Sequence, residues 1–349
     1  MKIMLQRLAL FALTAALSLA QDTARMDQAV QSYVANHFMG SVLVARGDKV
    51  LFSKGYGFAN LEWDIPNTPD TKFRIGSVTK QFTAVLILKL EEEGKLSVSE
   101  PVKKYIADAP AAWDNITLFH LLTHTSGLPD FTNLPDYPKL QTLPTTPTQI
   151  IARFRDKPLE FQPGEKFKYC NSGYVVLTAI VEKVAGVPYE KFLQDQVLTP
   201  LGLKDTGYDS AAHVIHHRAT GYLLNGDGQV ENSRFVDMTV PQGAGALYST
   251  TGDLLKWELA MFGGKVLKPA SFEKMTTPVK NNYGFGLFIR TAKHKMIEHT
   301  GGIDGFNTDL AYYPDDKVTI VVLRNINLPT RQTEITNKLA AAYFGEPVE

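Results

Sequence analysis

The chain has 349 residues, 44% of them hydrophobic, enough for a sizeable core and too many for a disordered protein. Lys and Arg together number 36, as do Asp and Glu, so the formal charge is zero. No polybasic block marks a nucleic-acid or anionic-membrane partner, and a small-molecule or peptide substrate is the default expectation.

At the N-terminus, Lys2 and Arg7 accompany an apolar run from Leu8 to Leu19, and the small residues Ser18 and Ala20 stand ahead of Gln21. This is the pattern of a cleaved export signal over residues 1–20. The run is short for a membrane span, which needs about 20 apolar residues. The mature chain is therefore expected to be periplasmic or secreted, without stable membrane insertion. The single cysteine, Cys170, permits no intrachain disulfide. A chain with a large core needs none, even in an oxidising compartment.

The stretch Gly40–Gly55 places two β-rich runs around Arg46-Gly47-Asp48 and reads as a hairpin. Ser77 then opens a helical run from Val78 to Glu93, ended by Gly94. Its middle is apolar almost all round (Phe82, Val85, Leu86, Ile87, Leu88), so it should be a buried central helix. From about 100 to 260 the pattern is mainly helical, with candidates at Leu118–His124, Thr148–Arg155, Ser172–Ala185 and Asp253–Phe262. Pro and Gly clusters separate them, and the proline-rich segment Pro129–Pro147 reads as a surface loop. Strands return at Lys295–His299 and at Thr308–Tyr313 and Val318–Arg324, the latter two flanking Pro314-Asp315-Asp316. An amphipathic helix over about Thr333–Phe344 ends the chain.

The expected fold is α/β (α+β). An antiparallel sheet is assembled from N- and C-terminal strands and flanked by helices (about 25–95 plus 265–349), with an inserted, mainly helical lobe (about 96–264). Residues 21–349 form one domain of two lobes, and the cleft between them is the natural site. The oligomeric state is not legible.

Three short patterns carry chemistry. Ser77-Val-Thr-Lys80 sits at a helix start, where residues i and i+3 share a face and the amine can reach the hydroxyl. A hydroxyl needs a neighbour to take its proton, and a desolvated lysine is suited to that work. The helix N-terminus offers N–H groups to a developing oxyanion. Alone the motif is weak, with roughly one chance match expected in a chain of this size. Ser271-Phe-Glu-Lys274 is such a match, lying between Pro269 and Pro278 without a buried helix behind it, and reads as surface helix. Tyr169-Cys-Asn171 pairs a phenol able to shuttle a proton with an amide able to bind a substrate, or else is a buried Tyr with a capping Asn. His299-Thr300-Gly301, followed by Gly302, ends a predicted strand that a substrate backbone could approach, unless it is a turn with an incidental His.

In this order and wide separation, the three patterns resemble the class C β-lactamase-like serine hydrolases, a group that includes DD-peptidases and certain esterases. Arg74–Ala84, His120–Leu128, Phe161–Gly164 and Gly243–Thr250 are similar to the family as well, so the resemblance spans about residues 25–345. It implies Ser77 as the acylated nucleophile, Lys80 as its base partner and Tyr169 as proton shuttle. It further implies substrate binding by Asn171, His299, Thr300 and Gly301, and an oxyanion hole from the backbone N–H groups of Ser77 and Gly302. No cofactor and no metal are implied. Lys80 and Tyr169 both remain candidates for the acylation base. His299 departs from the Lys of many relatives. A partly charged His weakens the case for carboxylate-bearing substrates and leaves room for esters or amides with an uncharged or amino end.

Other residues read blandly. His213, His216 and His217 have a helical metal spacing but no nearby carboxylate or cysteine ligand. His120 and His124 read as core or capping residues, and Cys170 as a small buried filler. The competing function is a penicillin-binding or sensor-like protein that is acylated with little turnover.

Overall fold

The computed structural model describes residues 23–347, so the expected export signal lies outside the described residues. Six strands form one antiparallel sheet. Strands β1 (Gly40–Arg46) and β2 (Lys49–Tyr56) are the N-terminal hairpin. Strands β3 (Phe288–Thr291), β4 (Lys295–Ile303), β5 (Phe306–Tyr313) and β6 (Val318–Arg324) come from the C-terminal part. The spatial order is β3-β4-β5-β6-β1-β2. β1 pairs with β6 from Gly40 opposite Arg324 to Arg46 opposite Val318, so distant parts of the chain meet at the middle of the sheet. The turn of the first hairpin needs Gly47, which sits at φ +56°.

Both faces of the sheet are covered, and alternation sorts the side chains. Val42, Val44, Ile320 and Val322 face a layer made by Met26 and Val30 of α1 (23–34) and by Ile335 and Leu339 of α8 (Glu334–Phe344). Leu43, Ala45, Val321 and Leu323 face the larger core on the other side. At the centre of that core lies α2 (Thr79–Glu92), buried on nearly every face from Thr79 to Leu88, as its apolar sequence requires. Phe82 of α2 stacks on Trp257 of α6 (Thr251–Phe262) with ring centroids 4.0 Å apart, and the indole N–H donates to Gln81 at 2.8 Å. Helices α3 (Leu118–Leu122), α4 (Pro147–Phe154) and α5 (Asn171–Ala185) belong to the helical part, and α5 packs on α2. α7 (Pro269–Thr276) carries the chance match, with Lys274 ion-paired to Glu91 at the surface.

Three details go beyond or against the sequence reading. First, the mainly helical middle region holds strands as well. It contributes short strands to two small sheets, one joining Phe73–Arg74 with Leu247–Ser249 and Gly207–Tyr208, the other joining Ile326–Asn327 with Tyr222–Leu224 and Val230–Asn232. Runs of two or three residues are too short for periodicity to register. Second, β4 continues to Ile303, so His299-Thr300-Gly301 lies inside a strand rather than at its end. Third, the segment 129–147 is no free surface loop: Phe131, Leu140 and Gln141 are buried, and short helical turns interrupt it.

Glu258 of α6 is 2% exposed, and burial pushes its carboxyl up to about 8. The folded chain thus holds a proton that the unfolded chain releases near pH 4. Stability from this group is intact below that pH and falls as pH rises to about 8. Glu258→Gln is expected to match wild type near pH 4 and to exceed it by on the order of a few kcal/mol near pH 9. Denaturant unfolding at the two pH values checks this, and equal differences at both would refute it.

Candidate active site

Ser77 lies in a tight turn, Gly76–Val78, that runs directly into α2. Gly76 has φ +49°, and a Cβ on it would stand 2.7 Å from the backbone N of Gly302. A Cβ on Gly301 would come within 2.0 Å of the Ile75 carbonyl oxygen. Only glycines at these two positions let the Ser77 turn and β4 touch. Ser77 and Gly302 therefore share the floor of one cavity of about 420 Å³, with Asn171, Ala244, Tyr137 and Asp304 among its walls.

Lys80, one turn beyond Ser77, is fully buried. Its Nζ meets three acceptors: Ser77 Oγ at 2.9 Å, Asn171 Oδ1 at 2.9 Å and the Ala244 carbonyl at 2.7 Å. Burial pulls its pKa down to about 7, against the opposing pull of Asp130 and Cys170. A neutral amine keeps two N–H donors for Asn171 and Ala244 and can turn its lone pair to the Ser77 hydroxyl. The Asn171 amide has one orientation available, because its Nδ2 donates to Asp130 Oδ2 at 3.1 Å. The same oxygen receives the Asn171 backbone N–H at 2.9 Å, at the start of α5, where a carboxylate is electrostatically favoured.

Tyr169 brings its Oη to the same place. The ring is partly exposed but the oxygen is buried. Burial holds the phenol well above 10, while the adjacent Ser77 hydroxyl acts in the opposite sense without closing a hydrogen bond of good geometry. The phenol therefore keeps its proton at neutral pH. The Lys80 Nζ stands 4.8 Å from the centre of its ring.

The third motif divides. Gly302 lines the cavity, and His299, Thr300 and Gly301 are not among its lining residues. Strand alternation turns the His299 ring into the core, where it is 1% exposed, its Nε2 is 3.0 Å from Tyr283 Oη and its Nδ1 is 2.6 Å from the Thr300 carbonyl oxygen. Burial first, and Lys80 second, lower its pKa to about 3. The expectation of a partly charged imidazole is thus corrected to a neutral one, because no water reaches the ring. Thr300 pairs across the ladder with Asp309, and the Gly301 carbonyl accepts from Gln332 at 2.9 Å.

Cys170 is a buried thiol, pushed up to about 12 by burial, with Sγ 3.3 Å from the Leu128 carbonyl oxygen, and fills space as expected. His120 Nδ1 accepts from the Thr117 N–H in a capping box, and His124 is core. His213, His216 and His217 are exposed on an irregular loop, so their helical spacing has no meaning in space. Sequence reasoning missed Asp130, although Asp130 followed by Thr132 is a turn-capping pattern, which the structure confirms. It also missed the Ala244 carbonyl, for which a backbone atom gives no residue-type signal.

Residues 15–343 match the family model described as Beta-lactamase. The putative penicillin-binding protein PbpX of Bacillus subtilis (strain 168) is 30% identical over 319 residues, which is 91% of this chain and 78% of that protein. The octameric penicillin-binding protein homologue from Pyrococcus abyssi superposes with a TM-score of 0.82 at 30% identity, covering 93% of this chain and 78% of the homologue. The D-amino acid amidase of Ochrobactrum anthropi SV3 shares the fold, with a TM-score of 0.83 at 24% identity over 93% of this chain and 99% of the amidase. Together with the site geometry, this match over nearly the whole described chain means that the protein belongs to the β-lactamase family.

Proposed function

We propose that this protein is a serine hydrolase that forms an acyl-enzyme at Ser77 on an ester, amide or β-lactam bond. The observation that carries the reading is the 2.9 Å contact between Ser77 Oγ and a buried Lys80 amine whose pKa is about 7. Neutral Lys80 takes the hydroxyl proton as Oγ attacks the carbonyl carbon, and the carbonyl electrons move onto its oxygen. The N–H groups of Ser77 and Gly302 receive that oxyanion, an arrangement in which one donor is worth about 10²–10³ in rate. The intermediate collapses, the bond to the leaving group breaks, and Tyr169 gives the leaving atom its proton, refilled from the Lys80 ammonium. Water then attacks the acyl carbon by the reverse proton route, releasing the acid and restoring Ser77.

The cavity walls also bear on the substrate. They include Asp304 but neither Lys nor Arg, and the neutral His299 is not among them. This supports acyl groups that are uncharged or carry an ammonium over those that carry a carboxylate. The basic, apolar and small-residue order of positions 1–20 supports export of the enzyme.

Ser77→Ala should lose about 10³-fold or more of the hydrolysis of a chromogenic ester while keeping its melting temperature. Equal rates in both proteins would remove Ser77 from the mechanism, and a stable adduct without turnover would favour a penicillin-binding role. The pH dependence follows from the base having to be neutral. In wild type, kcat/KM should climb with pH to a plateau with a midpoint at about 7. No second inflection near 6.5 is expected from His299, and no descending limb from Tyr169 below about pH 10.

A third check uses esters with one leaving group and acyl chains that are neutral, amino-bearing or carboxylate-bearing. The first two should exceed the carboxylate by about tenfold in kcat/KM, a difference of about 1.4 kcal/mol. Asp304→Asn should lower the rate on the amino-bearing ester alone. Preference for the carboxylate would overturn the substrate reading.

A further inference from the structure

Nothing described so far fixes the phenol of Tyr169. Its Oη has no hydrogen bond of good geometry among the described residues, so its place must come from its ring packing and its backbone. His124 takes part in both. We propose that His124 is the positioning residue for Tyr169, acting through an imidazole that hangs the backbone on either side of it. The inference rests on the hydrolase reading above.

His124 follows α3 at φ +56°, a left-handed conformation uncommon outside glycine, and is 1% exposed. Its carbonyl accepts the Lys168 N–H at 2.9 Å, and its Nδ1 accepts the Cys170 N–H at 3.1 Å. The two bonds bracket Tyr169 on either side. The next amide, that of Asn171, is tied to Asp130. Successive N–H groups of the loop are thus held by two side chains from the segment before it. The imidazole ring also lies 4.2 Å from the Tyr169 ring and 4.7 Å from Tyr283, centre to centre.

Because Nδ1 accepts, the proton of the neutral ring is on Nε2, which is buried with no polar partner among the described residues. The surroundings of His124 agree with neutrality: burial opposes a charge there most, and a protonated Lys80 opposes it further. The imidazole therefore works as an acceptor and spacer. Its loss should show in the step that uses the phenol, the protonation of the leaving group, more than in substrate binding.

The test compares His124→Leu with His124→Asn, on a p-nitrophenyl ester and on the p-nitroanilide of the same acid. Leu fills space without an acceptor. Asn tolerates the left-handed backbone and offers Oδ1 where Nδ1 stood. The Leu variant should lose about 100-fold in kcat on the anilide, which needs a proton, and under about tenfold on the activated ester, with KM within about threefold. Asn should recover the anilide rate to within about tenfold of wild type.

Equal losses on both substrates in the Leu variant would reduce His124 to a structural residue, and an Asn variant no better than Leu would remove the acceptor role. If Leu does not fold, His124→Gly, which adopts the backbone freely and also lacks an acceptor, carries the same comparison. A failure of the hydrolase reading itself is seen separately, as activity that survives Ser77→Ala.

Discussion

A lysine ammonium placed where no water reaches it must find an acceptor for each of its three protons or give one up. Lys80 stands at that balance. Its three acceptors arrive from three parts of the chain: the turn ahead of its own helix, the start of α5 and the Ala244 carbonyl. Burial dominates, with Asp130 and Cys170 pulling the other way, which is why the amine sits at about 7 rather than at its ordinary value. Ser77, Asn171 and the turn at Ala244 meet at that one nitrogen.

The sheet explains how such distant residues stay in register. β1 and β6 lock the N-terminal hairpin to the C-terminal strands, so the turn leading into α2 has a fixed height beside β4. Gly76 and Gly301 then set the approach of turn to strand at backbone contact. A side chain on either would push the Ser77 N–H away from that of Gly302.

What the sequence made legible was whatever rested on period or residue type. The Gly40–Gly55 hairpin follows from alternation around Arg46-Gly47-Asp48, and α2 from a run too apolar to face water. Ser77, Lys80, Tyr169 and Asn171 stood out because nucleophile, base, phenol and amide are distinctive types at fixed offsets, and the structure brings all four together. What stayed hidden depends on backbone atoms and on dryness. The Ala244 carbonyl has no sequence signature. The use of His124 as an acceptor depends on a φ angle and on a partner 46 positions away. The two-residue strands at Phe73 and Ile326 are too short to show a period. His299 was legible as a residue but its charge was not, since charge depends on water access.

That last point bears on the chemistry. A permanent cation in the place of His299 would lower the lysine pKa by repulsion as well as by burial. Here no neighbouring cation contributes to the lowering, since burial is the one influence acting downward on Lys80. The base strength of the site is therefore a property of its dryness. A wall that let water reach the nitrogen would restore the ammonium. The groups that exclude water from Lys80, among them Tyr169 and Tyr174 with ring centres within 5.4 Å of its nitrogen, thus set its protonation state as much as those that bond to it.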